Sequence, residues 1–214
     1  MRYRSVLFDL DGTVTDSSEG IVNSIMYALE KLEYIPEDTS VLKKFIGPPL
    51  LDSFKKYFGF SDEKSELALK FYREYYVPKG LYQNRVYDGI EELLLKLNAK
   101  GYDVLLATSK PEPQAREVIN HFKLTKYFSF IAGVPLNEKG YTKIDVINFA
   151  LEHTATKDKS EILMVGDTHF DVEGAKACGI DSVGVLYGMG DAEELKEATY
   201  IVKTVKDLED FLIK

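Results

Sequence analysis

Two groups of acids have a spacing that suits chemistry. The first is Asp9-Leu10-Asp11-Gly12-Thr13 and the second is Gly166-Asp167-Thr168-His169-Phe170-Asp171. Each follows a short apolar run. In an extended chain, Asp9 and Asp11 point the same way. Two converging carboxylates raise each other's pKa unless a cation sits between them. With a divalent ion there, one carboxylate can attack as a nucleophile while the other handles protons. Gly12 permits the sharp turn that aims both acids at one point. Magnesium takes oxygen ligands and keeps several waters. Asp9, a backbone carbonyl near Asp11, and Asp167 would suffice to hold it, with Asp171 in support. His169 is not needed as a ligand.

Two further positions fit an anionic substrate. Thr108 ends an apolar run, and its hydroxyl with the Ser109 amide is placed to bind a phosphoryl oxygen at the start of the next helix. Lys143 follows Thr142, a helix-capping residue type. A cation in the first turn of a helix opposes the helix dipole. That position makes sense if Lys143 reaches a carboxylate and a transferring phosphoryl group. Lys110 and Lys139 are its rivals.

The elements that must position these residues are legible as apolar patterns. Residues 3–8, 103–107, 128–132, 161–165, 182–186 and 200–202 read as strands. Their apolar runs are continuous rather than alternating, as in strands buried on both faces. Between them lie helical stripes: Ile90, Leu93, Leu94, Leu97; then Val118, Ile119, Phe122; then Ile144, Ile147, Ala150, Leu151. This alternation predicts an α/β fold with a doubly wound parallel sheet. Ligands of such sheets bind outside the carboxyl ends of the strands, where Asp9, Thr108 and Asp167 fall. Residues 17–82 break the rhythm. They carry helical stripes (Ile21, Ser24, Ile25, Ala28, Leu29; Leu50, Leu51, Phe54, Tyr57, Phe58; Leu67, Leu69, Phe71, Tyr72), punctuated by Gly47-Pro48-Pro49. The expected organisation is a core of residues 1–16 and 83–214 with a helical insertion at 17–82, placed to act as a lid.

Composition narrows the partners. The chain has 214 residues and a net charge of −8, which argues against a nucleic-acid backbone as partner. The single cysteine, Cys178, excludes an intramolecular disulfide and a cysteine-based zinc site. The apolar run at the N-terminus is too short for a signal peptide. No apolar stretch approaches the roughly 18 residues of a membrane span, so a cytoplasmic protein is expected. Composition carries no signal of oligomeric state.

Taken in order, the acid pair, Thr108, a lysine and Gly-Asp-x-x-x-Asp resemble the haloacid dehalogenase-like hydrolase superfamily, with a Rossmann-like core and an α-helical cap at 17–82. The tail Gly184-Val185-Leu186-Tyr187-Gly188-Met189-Gly190, followed by Glu193-Glu194-Leu195, resembles the phosphoglycolate phosphatase branch. The resemblance implies a phosphatase of small phosphorylated metabolites. Asp9 would form an aspartyl phosphate. Asp11 would protonate the leaving oxygen and then activate water. Gly12, Thr108, Ser109 and Lys143 would bind phosphate, and Asp9, Asp11, Asp167 and Asp171 would hold Mg²⁺. Lys143-Ile144-Asp145 lacks the proline that many members place after the lysine, and it looks closer to nucleoside-monophosphate phosphatases. Gly47 and Pro48 resemble a cap loop that contributes to specificity, while helical Tyr72, Tyr75 and Tyr76 read first as core. Asp11 disfavours a dehalogenase, and a first cap helix without histidine disfavours a sugar-phosphate mutase. A pyrophosphatase of the same superfamily and a phosphoacceptor signalling module are the remaining alternatives. The latter lacks a role for the helical insertion.

Overall fold

The computed structural model describes residues 2–136 and 140–213. In chain order the elements are β1 (Ser5–Phe8), β2 (Thr15–Asp16), α1 (Ser18–Lys31), α2 (Leu50–Phe58), α3 (Asp62–Tyr76), β3 (Arg85–Val86), α4 (Ile90–Ala99), β4 (Asp103–Pro111), α5 (Glu112–His121), β5 (Phe130–Val134), α6 (Lys143–Glu152), β6 (Ile162–Gly166), α7 (His169–Cys178), β7 (Asp181–Val185), β8 (Tyr200–Val202) and α8 (Val205–Ile213), with short 3₁₀ turns between some of them. The chain divides into two compact units, one of Met1–Thr15 and Val86–Lys214, the other of Asp16–Arg85. It passes between them through β2 and β3, which pair as a two-stranded ladder. Among the described residues, no helix is long and apolar enough to cross a membrane.

The first unit is a six-stranded parallel sheet in the order β5-β4-β1-β6-β7-β8, a Rossmann-like α/β core. Every residue of β1 and β6 is buried, which is why their sequences are continuous apolar runs. The chain steps from β1 to β4 and β5 on one side, then crosses back to β6, β7 and β8 on the other. The reversal leaves a crevice at the carboxyl end of β1, the topological switch point where ligands of such sheets bind. Helices α6 and α7 pack together over Leu7, Leu105, Ala107 and Met164.

The α6 stripe differs from expectation. Ile144 is 40% exposed, and the buried face is Lys143, Val146, Ile147 and Ala150. The helix turns Lys143 inward and so rotates Ile144 out.

The second unit is helical. Helix α1 buries Ile21, Ser24, Ile25, Ala28 and Leu29 and packs on α3. A Cβ on Gly20 would sit 1.9 Å from the Gly80 carbonyl oxygen, so glycine is required at that crossing. The α3 stripe also differs from expectation: Leu67 is 41% exposed, and the buried residues are Ser65, Ala68, Tyr72 and Tyr76. Small residues at this face admit a close neighbour, and the two tyrosines stack on each other at 5.0 Å between centroids. They are core. A second aromatic cluster joins Tyr34, Phe45, Phe54, Phe58 and Phe60. Gly47 has φ +99° and is exposed, and Pro48 is partly buried.

Candidate active site

The sheet register explains why distant acids meet. Phe8 at the end of β1 is level with Val165 of β6 and Leu106 of β4. The Asp9 amide continues this ladder, donating to the Val165 carbonyl at 2.9 Å. Asp9 and Asp167 therefore follow the last residues of adjacent β1 and β6, and Thr108, within β4 on the other side of β1, lies at the same edge. After Asp9 the chain turns tightly: Gly12 has φ +88°, and its N–H donates to the Thr15 carbonyl at 2.7 Å.

Carboxylate oxygens of Asp9, Asp167 and Asp171 lie within 4.8 Å of one another, and all three residues are buried. One ammonium faces two of them. Lys143 Nζ lies 2.7 Å from Asp9 Oδ1 and 2.6 Å from Asp171 Oδ1. Burial disfavours the Asp9 carboxylate more than Lys143 favours it, and Asp171 and Asp11 add repulsion, so its pKa is pushed up to about 6. Asp167, fully buried, is raised well above its ordinary value by burial and then by Asp171 and Asp9. The Met189 amide and Thr13 hydroxyl oppose that shift. Burial alone would lower the Lys143 pKa, but the charges of Asp171 and Asp9 overcome it and hold the ammonium above its ordinary value.

The other expected residues divide. Asp11's carboxylate is not part of the trio; it pairs with the buried ammonium of Lys110, and its Oδ1 is a buried atom without a hydrogen-bond partner. Lys143 is thus the lysine at Asp9, while Lys110 serves Asp11. Lys139 lies outside the described residues. Thr108 is buried at the expected edge, and its hydroxyl accepts the Lys110 amide at 3.2 Å. Strand β4, however, runs on to Pro111 with a shift in register after Ala107, and α5 begins only at Glu112. Thr108 and Ser109 are therefore not a helix N-terminus, and Ser109 is exposed. Proline is disfavoured inside a helix and favoured at its start, so Pro111 marks the true boundary. Asp171 uses Oδ2 to cap α7, accepting the Thr168 amide at 3.0 Å and the Thr168 hydroxyl at 2.8 Å, while Oδ1 faces Lys143. Thr168, not Asp167, is the N-cap. Gly47 and Pro48 belong to the helical unit.

Sequence reasoning missed the supports of Asp167. Thr13 donates its hydroxyl to Asp167 Oδ1 at 3.1 Å, and the Met189 N–H donates to Oδ2 at 2.8 Å. A Cβ on Gly12 would fall 2.0 Å from Asp167 Oδ2, and one on Gly166 would fall 2.1 Å from Asp171 Cγ. Gly12 and Thr13 were visible signals, but their partner Asp167, 154 residues beyond Thr13, was not legible as such.

The residues present fit a hard divalent cation. Three carboxylates are buried together and one ammonium pairs with two of them, every donor is oxygen, and burial, with repulsion among the acids adding to it, pushes Asp9 and Asp167 upward. Magnesium is suited to such a set.

A parallel sheet with acids and lysines gathered at its switch point defines an α/β enzyme of the Rossmann-like class. The chain belongs to the haloacid dehalogenase-like hydrolase family, whose model matches residues 6–185. It is 41% identical over 196 residues to a 5′-nucleotidase of Pseudomonas aeruginosa, covering 92% of this chain and 88% of that one. It is 37% identical to the tyrosine-protein kinase PtkA of Mycobacterium tuberculosis, over 93% of this chain and 67% of the relative. Its fold matches the crystal structure of a predicted phosphatase from Clostridium acetobutylicum with a TM-score of 0.92 and 44% identity, covering 100% of this chain and 99% of that chain.

Proposed function

We propose that the protein is a magnesium-dependent cytoplasmic phosphatase. In this reading it hydrolyses a small phosphomonoester through a phosphoryl group carried on Asp9. The observation that carries the reading is the meeting of Asp9, Asp167 and Asp171 around Lys143 at the switch point. Asp9 Oδ attacks phosphorus, and the bond from phosphorus to the ester oxygen breaks. Asp11 gives that oxygen its proton. Asp11 then takes a proton from water as the water oxygen attacks phosphorus, releasing inorganic phosphate and restoring Asp9. Lys110 holds the Asp11 carboxylate in place for both transfers. Lys143 offsets charge on Asp9 and on the phosphoryl oxygens, and Thr108 binds one of those oxygens. Asp9, Asp167 and the backbone at Asp11 would hold Mg²⁺, with Asp171 in support, and the ion supplies charge stabilisation for the phosphoryl group.

The favoured substrates are nucleoside 5′-monophosphates. The 5′-nucleotidase relative and the Lys143-Ile144-Asp145 sequence support this; the tail motif makes 2-phosphoglycolate the competitor. The helical unit acts as a cap in this reading, and Gly47 and Pro48 contribute to selectivity. A panel of phosphorylated metabolites ranked by kcat/KM, assayed with Mg²⁺ and with chelator, tests the proposal. Full activity in chelator refutes the metal role. The PtkA relative brings a second reading, transfer to tyrosine, and ATP-dependent phosphorylation of a tyrosine peptide without release of free phosphate would favour it.

A further inference from the structure

The tail motif Tyr187-Gly188-Met189-Gly190 has no task in the mechanism above, yet it lies against the metal-binding acid. We propose that Tyr187 is a positioning residue for Asp167: its hydroxyl pins this segment to the loop after β1, so that the two loops together clamp the Asp167 carboxylate. This inference rests on the reading of Asp167 as a magnesium ligand.

The geometry is a closed circuit of hydrogen bonds. Tyr187 OH donates to the Thr13 carbonyl at 3.0 Å. Thr13 in turn donates its hydroxyl to Asp167 Oδ1 at 3.1 Å. Two residues beyond Tyr187, the Met189 N–H donates to Asp167 Oδ2 at 2.8 Å. A carboxylate rotates in a broad torsional well when left alone; here each oxygen has one fixed donor from a different loop. The loops also fit flush. A Cβ on Gly188 would fall 2.3 Å from both Asp167 Cβ and the Gly12 carbonyl oxygen, and one on Gly190 would fall 2.0 Å from the Asp167 carbonyl oxygen. Only glycine allows that approach, and Tyr187 gives this segment a side-chain hydrogen bond to the loop after β1.

Tyr187 suits the task. Its ring packs edge-on against Tyr87 at 5.1 Å between centroids, and the Tyr87 amide donates to the Val14 carbonyl at 3.2 Å. The ring is thus seated independently of the hydroxyl. Burial, with Asp167 and Tyr87 adding to it, pushes the phenol above its ordinary value, so it remains a donor. Partners outside the ligand shell of this kind set metal affinity, and losing one typically costs about 10–100-fold.

The test uses the whole chain without substrate, titrated with Mg²⁺ by calorimetry. Tyr187→Phe keeps the ring and removes the hydroxyl. It is expected to weaken Mg²⁺ binding about threefold to tenfold, while the Tm in chelator changes little and kcat at saturating Mg²⁺ is largely kept. Thr13→Val, which removes a direct donor, is expected to weaken binding about tenfold or more, and Thr13→Ser to restore it. Mg²⁺ affinity of Tyr187→Phe within twofold of the parent would overturn the inference. So would a loss of Tm that is the same with and without Mg²⁺, the mark of a purely structural role. If the parent chain itself binds no Mg²⁺, the metal reading beneath the inference fails, which is a distinct result.

Discussion

The two ends of the parallel sheet both gather carboxylates, and they treat them in opposite ways. At the amino end, Asp103 accepts from the Ser5 hydroxyl at 3.0 Å, from the Ala155 amide at 2.8 Å and from Ser129. Asp181 takes Arg2 at 2.8 Å and the Tyr3 hydroxyl at 2.6 Å. Glu161 takes the Thr156 hydroxyl at 2.7 Å. Each acid has its own donors, remains partly open to water and ties neighbouring elements together. At the carboxyl end three acids are buried together. Two of them, Asp9 and Asp171, share one lysine, and the third, Asp167, has among the described residues only a neutral hydroxyl and a backbone amide. Donors matched to acids build a fold. Buried acids in excess of cations destabilise it, and are retained where their charge has another use.

Exchanging one acid at each end is the strongest way to break this comparison. Asp9→Asn is expected to lower turnover of p-nitrophenyl phosphate by about 10³-fold or more, as loss of a nucleophile does, with the fold kept. Asp103→Asn replaces one of two acceptor oxygens with a donor, so that either the Ser129 hydroxyl or the Ser5 hydroxyl and Ala155 amide lose their acceptor. It is expected to cost about 1–3 kcal/mol of stability while leaving kcat close to the parent value. Turnover assays and chemical denaturation on the same samples separate the two effects. An active Asp9→Asn protein removes the nucleophile assignment.

The cations sharpen the contrast. Lys143 is the only ammonium paired with Asp9 and Asp171 among the described residues. Lys143→Met would strand both acids, and breaking a buried pair costs about 3–5 kcal/mol. Arg4 at the other end lies 3.7 Å from Glu161 with its side chain 63% exposed. Its replacement by Met is expected to cost about 1 kcal/mol or less. Denaturant midpoints in chelator would show the difference. Equal losses would mean that the carboxyl-end charges are better solvated than their burial indicates.

The same contrast governs what the sequence reveals. Asp9, Asp167 and Thr108 were legible because each ends a continuous apolar run, and a parallel sheet brings such ends to one edge. Lys143 was legible because a cation is a poor choice for a helix's first turn. The pairing of Lys110 with Asp11 was not legible, since it spans 99 residues and depends on β4 continuing past Thr108. That continuation looked like a helix start because hydroxyls before a proline serve either purpose. The buried face of α3 was hidden for another reason: Ser65 and Ala68 carry little apolar weight, so a reading of hydrophobic stripes chose the exposed Leu67. Asp171 shows how one residue can hold two tasks. Its spacing from Asp167 fits metal support, its Oδ2 caps the helix at Thr168, and its Oδ1 stays at Lys143 within the acid trio.

The smallest effect isolates the electrostatic cost at the carboxyl end. Burial raises the Asp9 pKa from its ordinary 3.8 to about 6, and Asp167 moves the same way. In the window between those two values the folded chain holds a proton that the unfolded chain has released. Folding stability from this group therefore falls as pH rises through the window, and the full penalty stands above about pH 6. Asp9→Asn removes a group that carries this penalty. In chelator its Tm is expected to exceed the parent's at pH 7, and the advantage is expected to shrink toward pH 4, where the parent's Asp9 is largely protonated. Mg²⁺ should narrow the gap at pH 7, because it favours the ionised acids of the parent. Asp103→Asn, tested over the same range, should lack this pattern. A Tm difference between Asp9→Asn and the parent that does not change with pH would mean that Asp9 ionises at no cost in the folded chain, and the excess of buried charge would then not distinguish the two ends of the sheet.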